Sequence, residues 1–277
     1  MHRLLQGDVG SGKTAVAYLA ALASAASGHQ TALMAPTELL AEQHARTLEK
    51  LAQNEPEVGL RLALLTSSRP KAEAEAIRTG LASGAVECVV GTQALLEPGV
   101  HFRSLALAVI DEQHRFGVKQ RAALAAKCPG ERMPHTLVMT ATPIPRTLSL
   151  TLYGDLDISV IDELPPGRAP VETHLLRSGE GPRVMEHIRD ALGRGEQVYV
   201  IYPLVEASEA IDLRAATEQA ERIRRALPEH RVALVHGRQD GAERAATMAA
   251  FEAGEVSLLV STTVVEVGVD VPGATLM

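Results

Sequence analysis

The sequence predicts an α/β fold built as two tandem domains with mainly parallel sheets. Three observations predict it. Apolar strand patterns and helical patterns alternate along nearly all of the 277 residues, and such alternation builds parallel βαβ units with helices on both faces of a sheet. The alternation breaks at residues 164–168, LPPGR, where two prolines and a glycine resist helix and central strand alike. Residues 7–14, GDVGSGKT, fit the phosphate-loop pattern G-x-x-x-x-G-K-[ST] at every fixed position.

The elements follow in order. Residues 3–6 read as the tail of a short first strand, and 15–26 as a strong helix former. The phosphate loop therefore joins a strand to a helix, the context that gives the pattern its meaning. Gly7, Gly10 and Gly12 let the backbone curl until its N–H groups, with Ser11 in the same cradle, point at phosphate oxygens. The helix N-terminus adds partial positive charge. Lys13 is placed to reach the β- and γ-phosphates, and the Thr14 hydroxyl to ligate Mg²⁺.

Strands are expected at 31–35, 60–65, 87–90, 105–110 and 136–139, with helices at 38–51 and 70–81. After the break come strands at 171–176, 197–202, 232–235 and 256–260, and helices at 183–192, 209–227 and 242–251. Asp240 with Glu243 three residues on reads as a helix cap. The domains are expected to span 1–164 and 165–277. The second has no phosphate loop, so two similar domains sharing one loop imply a nucleotide between them.

The stretch LALAVIDEQH, residues 105–114, carries the second chemical signal. A buried strand that ends on adjacent carboxylates, Asp111 and Glu112, sets two negative charges side by side at the edge of a core. A magnesium ion held by Asp111 resolves the conflict and leaves Glu112 to orient a water molecule. The same pair also fits a strand end meeting solvent, and the phosphate loop decides between the two. Water orientation favours hydrolysis of a triphosphate over transfer to a small molecule. Lys13, Asp111 and Glu112 are the expected catalytic set.

Composition narrows the class. The formal charge of −7 excludes a uniformly basic nucleic-acid surface but leaves room for a local groove. Two cysteines, Cys88 and Cys128, make no disulfide framework and fit a reducing, cytoplasmic setting. No apolar run approaches the length that spans a bilayer, so no membrane partner is expected.

Beyond these residues, the chain resembles helicases of superfamily two over nearly its whole length. Residues 7–14 resemble the first helicase motif and 111–114, DEQH, the second; 35–37, 91–93 and 140–142 resemble motifs Ia, Ib and III. Residues 236–238 and the run 261–272 resemble blocks of a second motor domain. GDVGSGKT, DEQHRFGVKQR, TATPIPRTL, DELPPGR and TTVVEVGVDVP are most similar to the RecG family. The transcription-repair coupling factors are next.

The resemblance implies two RecA-like P-loop NTPase domains, the second incomplete. It implies ATP and Mg²⁺ as cofactors, and branched or forked DNA as partner, in repair and recombination. It places Gly268 and Asp270 on the nucleotide, and Thr14 and Asp111 on the metal. His114, Thr140 and Thr142 would couple hydrolysis to movement, and Thr37, Thr92, Arg238 and Thr262 would line the nucleic-acid groove. Read without the family, Thr37 is equally a helix N-cap, Thr140 and Thr142 fit a strand end, and Gly268 fits a turn. A wedge domain and a Q-x-x-G-R-x-G-R arginine block, both expected of RecG, lie outside these residues. The 277 residues alone are therefore expected to bind nucleotide weakly and to hydrolyse it slowly or not at all. Two alternatives stay open: a duplex translocase of the coupling-factor type, and a nucleotide-dependent DNA-binding module that does not translocate.

Overall fold

The computed structural model describes residues 1–53, 59–112, 118–128, 133–142, 156–163, 171–177, 179–202, 209–262, 271 and 273–277; side chains are described for these except at 118, 119, 121, 122 and 209–215. The chain divides into two compact units, Met1–Arg168 and Ala169–Met277. Each is described by itself.

The described residues of the first unit form seven strands: β1 His2–Gly7, β2 Gln30–Met34, β3 Leu62–Leu65, β4 Cys88–Gly91, β5 Leu105–Asp111, β6 His135–Thr140 and β7 Asp157–Ile161. They form one sheet in the order β3-β4-β2-β5-β6-β1-β7, and every neighbouring pair is parallel. Its helices are α1 Lys13–Ala26, α2 Glu38–Gln53, α3 Lys71–Ser83 and α4 Val118–Ala125. Alternate strand residues face two separate cores. Leu33, Val90, Val109 and Met139 pack with Ala17, Tyr18 and Ala21 of α1 and Leu40, Ala41, Ala45 and Leu48 of α2. Ala32, Met34, Val89, Ala108 and Ile110 pack with Ala74 and Leu81 of α3 and Leu124 of α4. Burial on both faces explains why the end of β2, 32–34, and the start of β4, 88–90, read as apolar runs rather than as alternating ones.

The first strand is not short. β1 has six residues and pairs with β6 on one side and β7 on the other. The phosphate loop therefore leaves an interior strand.

The second unit holds β8 Gln197–Tyr202, β9 Val232–Val235, β10 Leu258–Thr262 and β11 Ala274–Leu276, in the parallel order β11-β8-β10-β9. Its helices are α5 Gly181–Gly193, α6 Glu209–Ala226 and α7 Gly241–Glu252. Its core joins Ile188, Leu192, Ile223 and Leu227 to Val198, Leu258 and Val260.

The two units repeat one device that the sequence hides. Gln30 opens β2, and its buried amide nitrogen donates to the carbonyls of Leu81 and Val86 at 2.9 and 2.7 Å. Gln197 opens β8, and its amide donates to the carbonyls of Phe251 and Val256 at 2.5 and 2.9 Å. Each glutamine ties a strand start to the helix end and loop that lead into a neighbouring strand. Both satisfy carbonyls that water cannot reach.

Several expectations differ from the structure. Residues 171–177 form no strand; Val171 is 79% and Leu175 97% exposed, and no strand among the described residues pairs with them to bury the alternation. Asp240 occupies the N-cap of α7 without a side-chain cap bond, and Glu243 instead accepts from Gln239 Nε2 at 3.4 Å. β7, α4 and β11 went unread because they are short and lack a clear period. The expected junction at 163–170 lies, apart from Glu163, outside the described residues.

Candidate nucleotide site

The C-terminal ends of β1, β5 and β6 meet in the first unit, and the candidate residues collect there. Parallel strands put all their C-terminal ends on one edge, so loops after adjacent strands share a crevice. β1 runs straight into the phosphate loop. Gly10 and Gly12 adopt φ of 78° and 93°, in the left-handed region that glycine tolerates. Gly7 is needed for a different reason: a Cβ there would lie 2.5 Å from Ser11 Oγ and 3.1 Å from Ile161 Cβ. The loop then closes on itself, with Ser11 N–H donating to the Asp8 carbonyl at 3.1 Å and Val9 N–H to Asp8 Oδ1 at 2.7 Å.

Lys13 opens α1 and folds back over this loop. Its ammonium donates to the carbonyls of Gly7 and Asp8 at 2.8 and 2.7 Å. Burial pulls its pKa down; the carboxylates of Asp111, Glu112 and Asp8 pull the other way with smaller effect. A half-buried cation facing three acids yet bonded to neutral carbonyls is a site poised for a further anion. Ser11 Oγ adds to this: it is buried with no hydrogen-bond partner in the structure.

Asp111 and Glu112 are 7% and 6% exposed at the end of β5. They point into different bonds. Asp111 Oδ2 lies 2.7 Å from His44 Nε2. Glu112 adopts φ 49°, a left-handed conformation unusual for a side chain with a Cβ. Its N–H donates to the Met139 carbonyl at 3.0 Å. Its carboxylate accepts from Thr140 Oγ1 at 3.0 Å and from Ala141 N–H at 3.1 Å. Thr140 Oγ1 in turn accepts from Thr142 N–H at 3.1 Å. Strain at one residue, held by three bonds to the neighbouring strand end and braced by a fourth within that end, is the pattern found where conformation serves chemistry. Thr140 and Thr142 thus do more than end a strand.

His44 went unread in the sequence. It sits on the face of α2 that carries buried Leu40, Ala41, Ala45 and Leu48, where a polar side chain needs a partner. That irregularity was the available signal. Its Nδ1 lies 3.5 Å from Thr14 Oγ1, so one imidazole spans both residues expected to hold a metal.

The groove residues are less informative. Thr37 Oγ1 accepts from Leu40 N–H at 3.3 Å and caps α2. Thr92 is buried after β4 and begins a 3-10 turn, Gln93–Leu96. In the second unit Arg238 is exposed after β9, whereas Thr262 ends β10 at 2% exposure. His114, Gly268 and Asp270 lie outside the described residues. Among the described residues no group of three or more His, Cys, Asp or Glu side chains could hold a metal ion by itself. The donor set of Thr14 and Asp111 suits a cation that arrives with phosphate oxygens and keeps its waters, as Mg²⁺ does. The two cysteines form no disulfide; Cys88 is buried and Cys128 donates through Sγ to the Leu105 carbonyl at 3.0 Å. No helix among the described residues is long and apolar enough to cross a membrane.

Comparison with known proteins places these features in a family. Residues 2–151 match the DEAD/DEAH box helicase profile, and residues 183–277 match the helicase conserved C-terminal domain. The chain is 51% identical over 278 residues to the ATP-dependent DNA helicase RecG of Acidithiobacillus ferridurans, covering all of this chain and 40% of that protein. It is 50% identical over 281 residues to the RecG of Escherichia coli K12, again covering all of this chain and 40% of the relative. Among solved structures, RecG bound to a three-way DNA junction matches with a TM-score of 0.76 and 42% identity, over 99% of this chain and 35% of that one. Mss116p bound to single-stranded RNA and AMP-PNP matches at a TM-score of 0.71 and 14% identity, over 99% of this chain and 59% of that one, a likeness of fold alone. The chain thus spans about two fifths of the length of these RecG relatives.

Proposed function

The chain belongs to the DEAD/DEAH box helicase family, and on that premise we propose that it is the motor core of a RecG-type ATP-dependent DNA helicase acting on branched DNA. Homology to RecG over the full chain supports the type. The observation that carries the reading is the wiring at one sheet edge: Lys13 over the phosphate loop, Asp111 beside it, and Glu112 tied to Thr140 and Ala141.

Each residue has a task on this reading. Loop N–H groups and Lys13 take the phosphates, with Lys13 exchanging its two carbonyls for phosphate oxygens. Thr14 and Asp111 hold Mg²⁺, which when bound offsets charge on the phosphates. Glu112 orients the attacking water, and its carboxylate is aimed by Thr140 and Ala141. Those same bonds give the strand end after β6 a direct mechanical link to hydrolysis, which is how Thr140 and Thr142 would couple it to movement. Gly268 and Asp270 of the second unit would complete the nucleotide site, and His114 would extend the link. Thr37, Thr92, Arg238 and Thr262 would line the DNA path, in the cytoplasm and in the service of repair and recombination.

The test is ATP hydrolysis by the whole open reading frame with no DNA, linear duplex, or a three-way junction. The expected result is strongest stimulation by the junction. Equal turnover under all three conditions overturns the reading.

A further inference from the structure

We propose that His44 is a positioning residue that presets Thr14 and Asp111 for magnesium. The inference deepens the nucleotide-site reading and rests on it. His44 lies on the buried stripe of α2 and reaches both residues at once, Asp111 Oδ2 through Nε2 at 2.7 Å and Thr14 Oγ1 through Nδ1 at 3.5 Å. Its side chain is 13% exposed and that of Asp111 11%, so water competes little for the shorter bond.

The carboxylate sets the direction of the shorter bond: it only accepts, so Nε2 carries a proton and donates to Oδ2. The proposal invokes the tautomer with its single proton on Nε2, which leaves Nδ1 to accept from the Thr14 hydroxyl. The two bonds have complementary consequences. The hydroxyl proton of Thr14 is drawn toward His44, which turns the oxygen lone pairs away from it. Asp111 is held by one oxygen, leaving Oδ1 outside that bond. A cation needs lone pairs and cannot use a hydroxyl whose proton faces it. One imidazole therefore orients two ligands from two different elements, α1 and β5, before any metal arrives. Partners of this outer kind tune metal affinity about 10- to 100-fold.

Because α2 begins at the Thr37 cap, the same helix runs from a residue proposed to face DNA to one that holds the metal carboxylate.

The experiment measures equilibrium binding of a fluorescent, non-hydrolysed ATP analogue to the protein of the whole open reading frame while Mg²⁺ is titrated, with thermal melts alongside. His44→Ala should raise the half-saturating Mg²⁺ about 10-fold, while affinity for the analogue in EDTA stays unchanged. His44→Gln places an amide N–H where Nε2 stood but no acceptor where Nδ1 stood, so it should restore most but not all of the wild-type Mg²⁺ response, through the shorter bond to Asp111. His44→Asn is too short to reach Asp111 and should behave as His44→Ala. If the alanine variant does not fold, the Gln and Asn pair decides the matter. The proposal is overturned if wild type binds in a Mg²⁺-dependent, Lys13-dependent way and His44→Asn shows the same half-saturation. A general loss of affinity in EDTA also overturns it, since that marks a merely structural role. If wild type and Lys13→Ala bind alike, the nucleotide-site reading itself falls.

Discussion

Replacing Thr140 by valine removes one hydroxyl and little volume. The structure states what that hydroxyl does. Thr140 is 3% exposed, donates to Glu112 Oε2 at 3.0 Å, and accepts from Thr142 N–H at 3.1 Å. A hydrogen bond to a charged group contributes about 1.5–3 kcal/mol. Thr142 is exposed, so water can take over its N–H at little cost. The net loss is about 2 kcal/mol, carried by the bond to Glu112. For a unit of the size of Met1–Arg168, that lowers its melting transition by about 4–8 °C. Hydrolysis should suffer more. Glu112 keeps its bond from Ala141 but loses the one that fixes its second oxygen. A displacement near 1 Å at such a group can cost about 100-fold in rate. Thr140→Ser keeps the hydroxyl and loses one methyl, about 1 kcal/mol of burial, so it should melt slightly early yet hydrolyse near the wild-type rate. Calorimetry and single-turnover hydrolysis in the whole open reading frame read both quantities. If valine and serine hydrolyse ATP equally fast, Thr140 does not aim Glu112.

Other perturbations act on separate parts of the account. Glu112→Gln keeps the shape and one of the two acceptor oxygens, and it removes the charge that activates water. Nucleotide binding should persist while hydrolysis falls about 10²- to 10⁴-fold, checked by pairing a binding titration with a turnover assay. Gly91→Ala should destabilise the first unit by about 1–3 kcal/mol, because its Cβ would lie 2.3 Å from the Leu65 carbonyl and 2.9 Å from Leu95 Cγ; chemical denaturation measures it. In the second unit the two-pronged bond from Arg194, and then the Thr275 hydroxyl, hold the Glu196 carboxyl down to about 2. A depressed carboxyl stabilises the fold above the ordinary glutamate value of about 4.3, and that contribution is lost as pH falls through about 2. Glu196→Gln should therefore be less stable than wild type at neutral pH and equal to it near pH 2, which an acid titration followed by circular dichroism would show.

Much of this was legible in the residues. Periodicity placed the central strands to within two residues, because strands buried on both faces leave long apolar runs. The phosphate loop and acid pair were readable because their chemistry needs fixed residue types at fixed spacing. Other features depended on tertiary partners that a linear reading does not see. β7 has an exposed residue, Val160, and is recognisable only by its pairing with β1. Residues 171–176 show strand periodicity but form no strand, and no strand among the described residues pairs with them. His44 looks like any helical histidine until α2 packs beside β5. The strained φ of Glu112 and its two bonds from the end of β6 join residues 28 and 29 positions apart, and only the parallel pairing of β5 with β6 brings them together.

On the proposed function, the curl after β1 and the acids at the tip of β5 grip one triphosphate with its metal. A crystal structure with Mg²⁺ and a non-hydrolysable ATP analogue is the decisive experiment. The expected result is Lys13 Nζ moved from the Gly7 and Asp8 carbonyls onto phosphate oxygens, with the cation held by Thr14 and Asp111. A triphosphate bound elsewhere, with Lys13 still on those two carbonyls, would contradict it.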